Sequence, residues 1–212
     1  MTSTINEIYN LHLEVLKRVL NGENWVKISQ SLSEQMKETN YLEIAKNGLL
    51  SFNEKGELIA AYPVSPNKTT YKVDIEDIGS GFSMCAIDSL GIAYTFMKKT
   101  RISSIDNKTK EKIEIIIDPN HETPKYDLYV TYIKSSGLTC DPVDDQCPAL
   151  NFYTSLDHID NKDKYTILDF DHALKHSISV FGEKGIKKCI EGAISNSNSF
   201  SLSEMLVDVF EN

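Results

Sequence analysis

The sequence predicts an α+β fold, with an N-terminal winged-helix-like segment of three helices and a β-hairpin, followed by a mixed or antiparallel sheet core flanked by helices. Three observations support this prediction. Apolar residues recur at helical spacing up to residue 47, alternating strand patterns dominate from residue 69 onward, and helices and strands follow one another without regular βα alternation. A chain of 212 residues, 41% hydrophobic and 25% charged, can bury such a core.

The N-terminal segment, residues 1–66, has the outline of a winged-helix module. Helices are predicted over residues 5–20, 25–38 and 41–47, and hairpin strands over 49–52 and 58–62. Asn21-Gly22 and Gly48 end the first and third helices, because glycine is a common residue just past a helix end. Modules of this kind often bind DNA, but many are only structural.

The core segment, residues 67–181, alternates strands with two helices. Strands are predicted over residues 71–75, 102–105, 112–117, 126–133 and 165–168, with a short run over 149–154. One helix is expected to follow Gly79-Ser80-Gly81, to carry Cys85 in its first turns and to end near residue 98. Asp169 can cap the second helix, which runs to Phe181. The C-terminal extension, residues 182–212, is predicted to end in an amphipathic helix over 202–210 that docks on the core.

Charge and targeting signals exclude several classes of function. The net charge of −9 argues against nucleic-acid binding, which needs clustered Lys and Arg, and the basic stretch 108–112 reads as a hairpin turn. No apolar run approaches the roughly 20 residues that span a membrane, and the N-terminus lacks the pattern of a signal peptide. We therefore expect a cytoplasmic protein. Four cysteines are too few for a disulfide scaffold, which favours reactive or metal-binding thiols.

A thiol and a carboxyl group lie three residues apart in the segment Cys85-Ala86-Ile87-Asp88. On a helix this spacing places both side chains on one face, with Cβ atoms roughly 5–6 Å apart. The carboxylate can take the proton of the thiol and later return it to a substrate. A position near the positive end of a helix is expected to lower the pKa of Cys85 below the free value of about 8.5.

A second thiol, Cys147, follows a strand-like run and opens the segment Cys147–Tyr153. Two thiols and one acid suit a soft, thiophilic metal and the cleavage of a group bonded to it. Cys140 lies seven residues earlier and could relay metal, form a disulfide with Cys147 or play no part. Cys189 is expected to be packed in a helix. A zinc site is disfavoured, because the histidines do not cluster with these cysteines, and His172 and His176 have no third ligand nearby in the sequence.

The two motifs resemble those of the organomercurial (alkylmercury) lyase family. That family has a Cys-Ala-x-Asp segment at a helix start, as at residues 85–88, and a later Cys-x-x-x-(Asn/His)-Phe-(Phe/Tyr) segment, as at residues 147–153. Thr100–Ser104 is similar to the family strand after the first motif, and Asn53–Ile59 to its small hairpin. The resemblance covers residues 50–181 and does not extend to the last thirty residues.

This resemblance implies an enzyme that cleaves carbon–mercury bonds by protonolysis, yielding a hydrocarbon and Hg(II). Cys85 and Cys147 would be the thiolates that bind mercury, and Asp88 first the base and then the acid, with Cys140 a possible auxiliary ligand. No resident cofactor is expected, but free thiols are needed to remove the Hg(II) product. The expected partners are an organomercurial substrate and small thiols or a mercuric reductase that accept Hg(II), and the protein should be a monomer or weak dimer.

Two other functions remain open from the sequence. Met84 stands where many family members carry an aromatic residue, and Asp106 with the Asp144-Asp145 pair adds negative charge near the predicted site. These departures could raise the cysteine pKa values or indicate a family-derived enzyme that does other thiol or sulfur chemistry. Alternatively, the chain could be a soft-metal sensor or carrier without turnover, in which Cys147 pairs with Cys85 or Cys140 and the N-terminal segment contacts DNA.

Overall fold

The fold is described from a computed structural model, in which residues 2–133 and 147–195 are described. The helices are α1 (Thr2–Leu20), α2 (Trp25–Ser31), α3 (Ser33–Glu38), α4 (Tyr41–Ala45), α5 (Ala86–Phe96), α6 (Phe170–Phe181) and α7 (Glu183–Ser195). The strands are β1 (Leu50–Phe52), β2 (Leu58–Ala61), β3 (Val64–Ser65), β4 (Lys72–Ile75), β5 (Gly79–Ser83), β6 (Thr100–Ile105), β7 (Lys112–Ile117), β8 (Tyr129–Ile133), β9 (Phe152–Tyr153) and β10 (Tyr165–Asp169). This content confirms the α+β class.

The strands form two antiparallel sheets. The larger sheet has the order β1-β2-β3-β5-β4-β6-β7, and the smaller one has the order β10-β8-β9. In the β4–β5 hairpin Ile75 pairs with Gly79, and the long β6–β7 hairpin pairs Thr100 with Ile117. The side chains of β7 alternate between exposed and buried, as expected for a strand with one face on the core and one in water. The short strand β3 joins the N-terminal hairpin to β5, so the larger sheet includes strands from both sides of residue 66.

Helices α5 and α6 form the layer on which the candidate site is built. Helix α5 is buried over almost its whole length and packs closely on α6. The two helices approach so closely at Gly91 that an added Cβ would lie 2.7 Å from Cδ2 of Phe181. Asp169 caps α6, since its Oδ1 accepts a hydrogen bond of 2.8 Å from the His172 amide. Helix α6 also packs against β8 and β10 and thereby ties the smaller sheet to the site helix.

Several predicted elements are confirmed and others need correction. The first helix, the 102–105 and 112–117 hairpin and the capped helix ending at Phe181 are found as predicted. The helix predicted over 25–38 is interrupted at Leu32, whose φ of −106° and ψ of 13° break the helical path. The segment Gly79–Ser83, which precedes the site helix, forms strand β5 and pairs with β4, and this strand was not predicted.

The predictions for the two ends of the chain have different outcomes. The N-terminal helices and hairpin are present, with four helices, α1 to α4, in place of three because the second predicted helix is interrupted. The winged-helix resemblance and the boundaries at residues 66 and 181 stay predictions. A helix does follow residue 182 in the C-terminal extension, namely α7, which packs against α1. The amphipathic helix predicted over 202–210 lies outside the described residues.

Candidate active site

The first motif lies at the junction between strand β5 and helix α5. Cys85 is the N-cap of the helix, with an extended backbone (φ −150°, ψ −176°), rather than a residue of its first turn. Its Sγ accepts a hydrogen bond of 3.5 Å from the Asp88 amide and donates one to Asp88 Oδ2, at 2.5 Å. The sulfur thus occupies the place of a capping hydroxyl oxygen. The predicted pairing of thiol and carboxyl on one side of the helix start is confirmed.

The second motif is held against the first by backbone and side-chain hydrogen bonds. Cys147 begins a short 3₁₀ turn, Cys147–Ala149, and the Leu150 carbonyl behind it accepts a hydrogen bond of 3.1 Å from the Ala86 amide. The Tyr71 hydroxyl donates to the Leu150 carbonyl at 3.1 Å, and Thr131 Oγ1 donates to the Ala149 carbonyl at 2.6 Å. The Ala86 bond joins the turn to the helix start directly, although the two are about sixty residues apart in the sequence, and the other two bonds join the turn to Tyr71 and to strand β8.

Together the motifs form one compact cluster. One ligand atom from each of Cys85, Asp88 and Cys147 lies within 4.8 Å of the others, the only group of this kind found in residues 2–133 and 147–195. The three residues are only 1%, 2% and 8% exposed, respectively. Both cysteines are free thiols. The arrangement offers two sulfur ligands and an adjacent proton carrier to a soft metal in a site shielded from water.

A family comparison identifies what this cluster belongs to. The model of the alkylmercury lyase family matches residues 64–182, which is more than half of the chain and includes both motifs. The chain belongs to the alkylmercury lyase family. Members of this family are enzymes that cleave carbon–mercury bonds.

A solved structure supports the fold of this family member. The mercury-bound form of MerB2 superposes with a TM-score of 0.61 at 16% sequence identity, covering 90% of this chain and 100% of that chain. At this identity the likeness concerns the fold alone. No curated protein matches the chain significantly. In residues 2–133 and 147–195, no helix is both long and apolar enough to cross a membrane.

Burial governs the ionisation of the site. It raises the pKa of the Asp88 carboxyl from 3.8 to about 7, although hydrogen bonds from Cys85 and from backbone amides favour the charged form. Burial, the Cys147 thiol and the Asp88 carboxylate together hold the pKa of Cys85 well above its ordinary value. The expected lowering of this pKa by the helix N-terminus was therefore wrong. The single amide at 3.5 Å does not offset the desolvation of a thiolate.

Three tyrosines that the sequence did not single out surround the cluster. Tyr62, Tyr71 and Tyr132 are each at most 6% exposed, and burial together with the cluster residues raises the pKa of each hydroxyl. Tyr71 also packs edge-on against Phe152 of the second motif. Neutral phenols can donate hydrogen bonds to sulfur or carboxylate without adding charge. All three tyrosines lie in predicted strands, so their sequence pattern indicated only structural roles.

The other candidates take different places. The Asp106 carboxylate faces the β6–β7 turn and the residues after β9. It accepts hydrogen bonds there from backbone amides and from His158. The negative charge that was expected near the thiols is therefore bound by these groups instead. Cys189 is packed, as predicted, and burial raises its pKa to about 12. His172 is exposed while His176 is buried against the Tyr132 ring, so the pair does not form a metal site. Cys140 and the Asp144-Asp145 pair lie outside the described residues.

Proposed function

We propose that the enzyme cleaves organomercurials by protonolysis, with Cys85 and Cys147 as mercury-binding thiolates and Asp88 as the proton carrier. The observation that carries this proposal is the buried cluster of two sulfurs and one carboxylate oxygen within 4.8 Å. The family match supports the reaction class. The fold shared with a mercury-bound protein, MerB2, is consistent with a metal of this kind as part of the substrate.

The Cys85 sulfur attacks mercury, displaces the external ligand of the organomercurial and forms a sulfur–mercury bond, while its thiol proton passes to ionised Asp88 Oδ2, to which it is already hydrogen-bonded. The two events are coupled, because the pKa of the free thiol lies above that of Asp88 and the proton leaves as mercury takes its place on sulfur. Cys147 adds as the second sulfur ligand, and its proton leaves with the displaced ligand. Mercury remains in the +2 state throughout, so no oxidant or reductant is needed.

Cleavage follows because two thiolates raise the electron density on mercury and make its carbon basic. Asp88 returns the proton to that carbon, the electron pair of the carbon–mercury bond forms the new carbon–hydrogen bond, and the hydrocarbon leaves. A pKa of about 7 suits both roles, since a group that titrates near the operating pH can accept and donate a proton with little cost. Hg(II) stays on the two sulfurs until small thiols exchange with them and return the protons.

The proposal has further parts that concern the setting of the reaction. We expect no resident cofactor, a cytoplasmic location, a monomer or weak dimer, and transfer of Hg(II) to small thiols or a mercuric reductase. Excess small thiol should therefore be essential for repeated turnover, because mercury held by two buried sulfurs would otherwise block the site.

The decisive experiment incubates the purified protein with phenylmercury and excess small thiol and measures benzene by gas chromatography. Benzene should accumulate over many turnovers above a protein-free control. No benzene above that control would reject the proposal. Tight mercury binding without benzene would instead favour a carrier or sensor, and failure of both would favour other thiol chemistry.

A further inference from the structure

The hydroxyl of Tyr62 stands out among the buried polar groups near the site. Tyr62 is 3% exposed, and among the described residues its hydroxyl oxygen has no hydrogen-bond partner of ordinary geometry. The Cys147 thiol lies within hydrogen-bonding reach of this hydroxyl, although the two groups are not oriented for a bond of ordinary geometry, and Asp88 and Cys85 also lie nearby. A buried hydroxyl without a partner destabilises the fold, so its presence calls for an explanation.

The position of Tyr62 is fixed by its backbone rather than by its hydroxyl. Its amide donates to the Leu49 carbonyl at 3.0 Å, and its carbonyl lies 3.2 Å from His12 Nε2. The flanking residues Ala61 and Val64 pair with each other, and Val64 pairs with Ser83 at the end of the strand that leads to Cys85. The ring is therefore held toward the cluster without any structural need for the hydroxyl.

Two other buried tyrosines show what a structural hydroxyl looks like in this protein. The Tyr41 hydroxyl lies 2.8 Å from His12 Nδ1, and the Tyr71 hydroxyl donates to Leu150 and Asn151 at 3.1 and 2.8 Å. Each bond joins separate parts of the chain. Tyr62 makes no bond of this sort in the described residues, although it is buried to a similar degree.

We propose that the Tyr62 hydroxyl is a positioning group that donates a hydrogen bond to Cys147 Sγ once this sulfur is a mercury-bound thiolate. This inference rests on the proposed function, in which Cys147 is the second sulfur ligand. A thiolate sulfur is a much better acceptor than a thiol, so the bond forms in the metal-bound state and is weak or absent in the free enzyme. The phenol stays neutral throughout.

The assignment gives each sulfur its own partner. Cys85 is paired with Asp88, which moves a proton, and Cys147 is paired with Tyr62, which donates a hydrogen bond and keeps its proton. Because Tyr62 holds Cys147 Sγ, the Asp88 carboxyl is left to deliver its proton to carbon rather than to the second sulfur.

The test is Tyr62→Phe, which removes only the hydroxyl. We expect the metal-free variant to be as stable as the wild type or more stable, because the lost hydroxyl has no hydrogen-bond partner among the described residues. Benzene release from phenylmercury should slow by about 10- to 100-fold, as for loss of a hydrogen bond to a charged group. The ultraviolet sulfur-to-mercury charge-transfer band of the Hg(II) adduct should move to lower energy, since a hydrogen bond to sulfur lowers the energy of its lone pair.

Two matched variants separate this role from a structural one. Tyr9→Phe removes the hydroxyl of a buried residue of helix α1, whose ring lies against Lys187 of α7, and should change neither the charge-transfer band nor the turnover. Tyr41→Phe breaks the hydrogen bond to His12 and should lower the stability. If Tyr62→Phe loses stability as Tyr41→Phe does, or leaves band and turnover at wild-type values, the inference is wrong. If wild-type protein itself gives no benzene and no Hg(II) adduct at Cys147, the proposed function has failed instead.

Discussion

At the scale of single residues, the site depends on the conflict between burial and charge at Asp88. The carboxyl group is 2% exposed, and burial raises its pKa to about 7. Its Oδ2 is bonded to the Cys85 thiol, while Oδ1 has no partner in the described part of the chain. A carboxyl so placed is a poor structural element and a suitable proton carrier, because it exchanges a proton near neutral pH.

Asp88→Asn should keep mercury binding by two thiolates but lose protonolysis, because an amide neither accepts nor delivers a proton at neutral pH. The variant should also change the stability in a pH-dependent way. The pKa of Asp88 is about 7 in the folded state against about 3.8 when unfolded, so wild-type stability falls as the pH rises from 4 to 7, by up to about 1.4 kcal/mol per unit. Asparagine does not titrate, so the stability of the variant does not fall with pH for this reason.

Denaturant unfolding of both proteins at pH 5 and pH 8 measures this effect. We expect the free energy of unfolding of Asp88→Asn relative to wild type to be higher at pH 8 than at pH 5, by roughly 2–3 kcal/mol. The control Asp157→Asn, at a side chain 95% exposed, should show no such pH dependence. If the difference in the free energy of unfolding between Asp88→Asn and wild type were equal at the two pH values, the raised pKa of Asp88 would be contradicted. If Asp88→Asn kept wild-type turnover, Asp88 would be excluded as the acid.

Substitutions of the cysteines should have effects different from those of Asp88→Asn. Cys85→Ser and Cys147→Ser should each lose both tight mercury binding and hydrocarbon release, because a hydroxyl is a hard and weakly acidic ligand. Cys140→Ser should lose little. Mass spectrometry of the metal adduct, measured beside benzene release, tests each variant, with Cys189→Ser as a control at a packed thiol remote from the cluster motifs in sequence. If Cys140→Ser alone abolished turnover, the metal pair would have to be Cys140 and Cys147.

At the scale of secondary-structure elements, one carboxylate links the β6–β7 hairpin to the segment after Cys147. Asp106 accepts hydrogen bonds from the amides of Lys108 and Thr109 at the hairpin turn, each at 2.8 Å. It also accepts from Thr154 N at 2.7 Å and contacts His158 Nδ1 at 2.8 Å. Burial opposes its charge, but these hydrogen bonds outweigh burial and lower its pKa. The link holds strand β9, and with it the second motif, against the larger sheet.

Asp106→Asn should therefore lower the stability at neutral pH by roughly 2–4 kcal/mol, because an amide cannot accept all of these hydrogen bonds. The pH dependence has the opposite sign to that of Asp88. A lowered pKa contributes stability above the unfolded value of about 3.9, and this contribution is lost as the pH falls. Urea unfolding at pH 7 and pH 3 should show a smaller deficit at pH 3, whereas the exposed Asp160→Asn should change little at either. A deficit that grew on acidification would contradict this account.

At the scale of the whole molecule, the net charge helps to decide between an enzyme and a DNA-binding sensor. The chain carries 31 acidic and 22 basic residues, for a net charge of −9. Its N-terminal hairpin is hydrogen-bonded through β3 to β5, so its strands belong to the same sheet as the site. Both observations favour an N-terminal segment that supports the site over one that contacts phosphate.

A gel shift at low salt, with DNA from the operon of this protein, tests the alternative. We expect no salt-sensitive binding, with or without Hg(II), because few phosphate contacts are available to an acidic surface. A basic DNA-binding protein run in parallel serves as the positive control. A DNA band shift that weakens steeply with added salt would instead support the DNA-binding sensor.

The sequence by itself determined the local features of this protein. The pairing of Cys85 with Asp88 follows from their spacing at a helix start, and the cap at Asp169 follows from residue type and the apolar pattern behind it. The order of most helices and strands was also predictable, because periodicity is a short-range property. Cys147 could be joined to this pair only through the resemblance to a family, since no local pattern relates residues sixty positions apart.

Only the tertiary structure decided the environment of the site. The direction of the Cys85 pKa shift was predicted wrongly from the helix position, because desolvation depends on everything packed around the thiol and outweighs one amide. The engagement of Asp106 with the hairpin and the approach of Tyr62 to Cys147 likewise depend on contacts between distant strands. Burial is a property of the assembled fold, and it accounts both for the raised pKa of Asp88 and for the enclosed Tyr62 hydroxyl, which has no hydrogen-bond partner in residues 2–133 and 147–195.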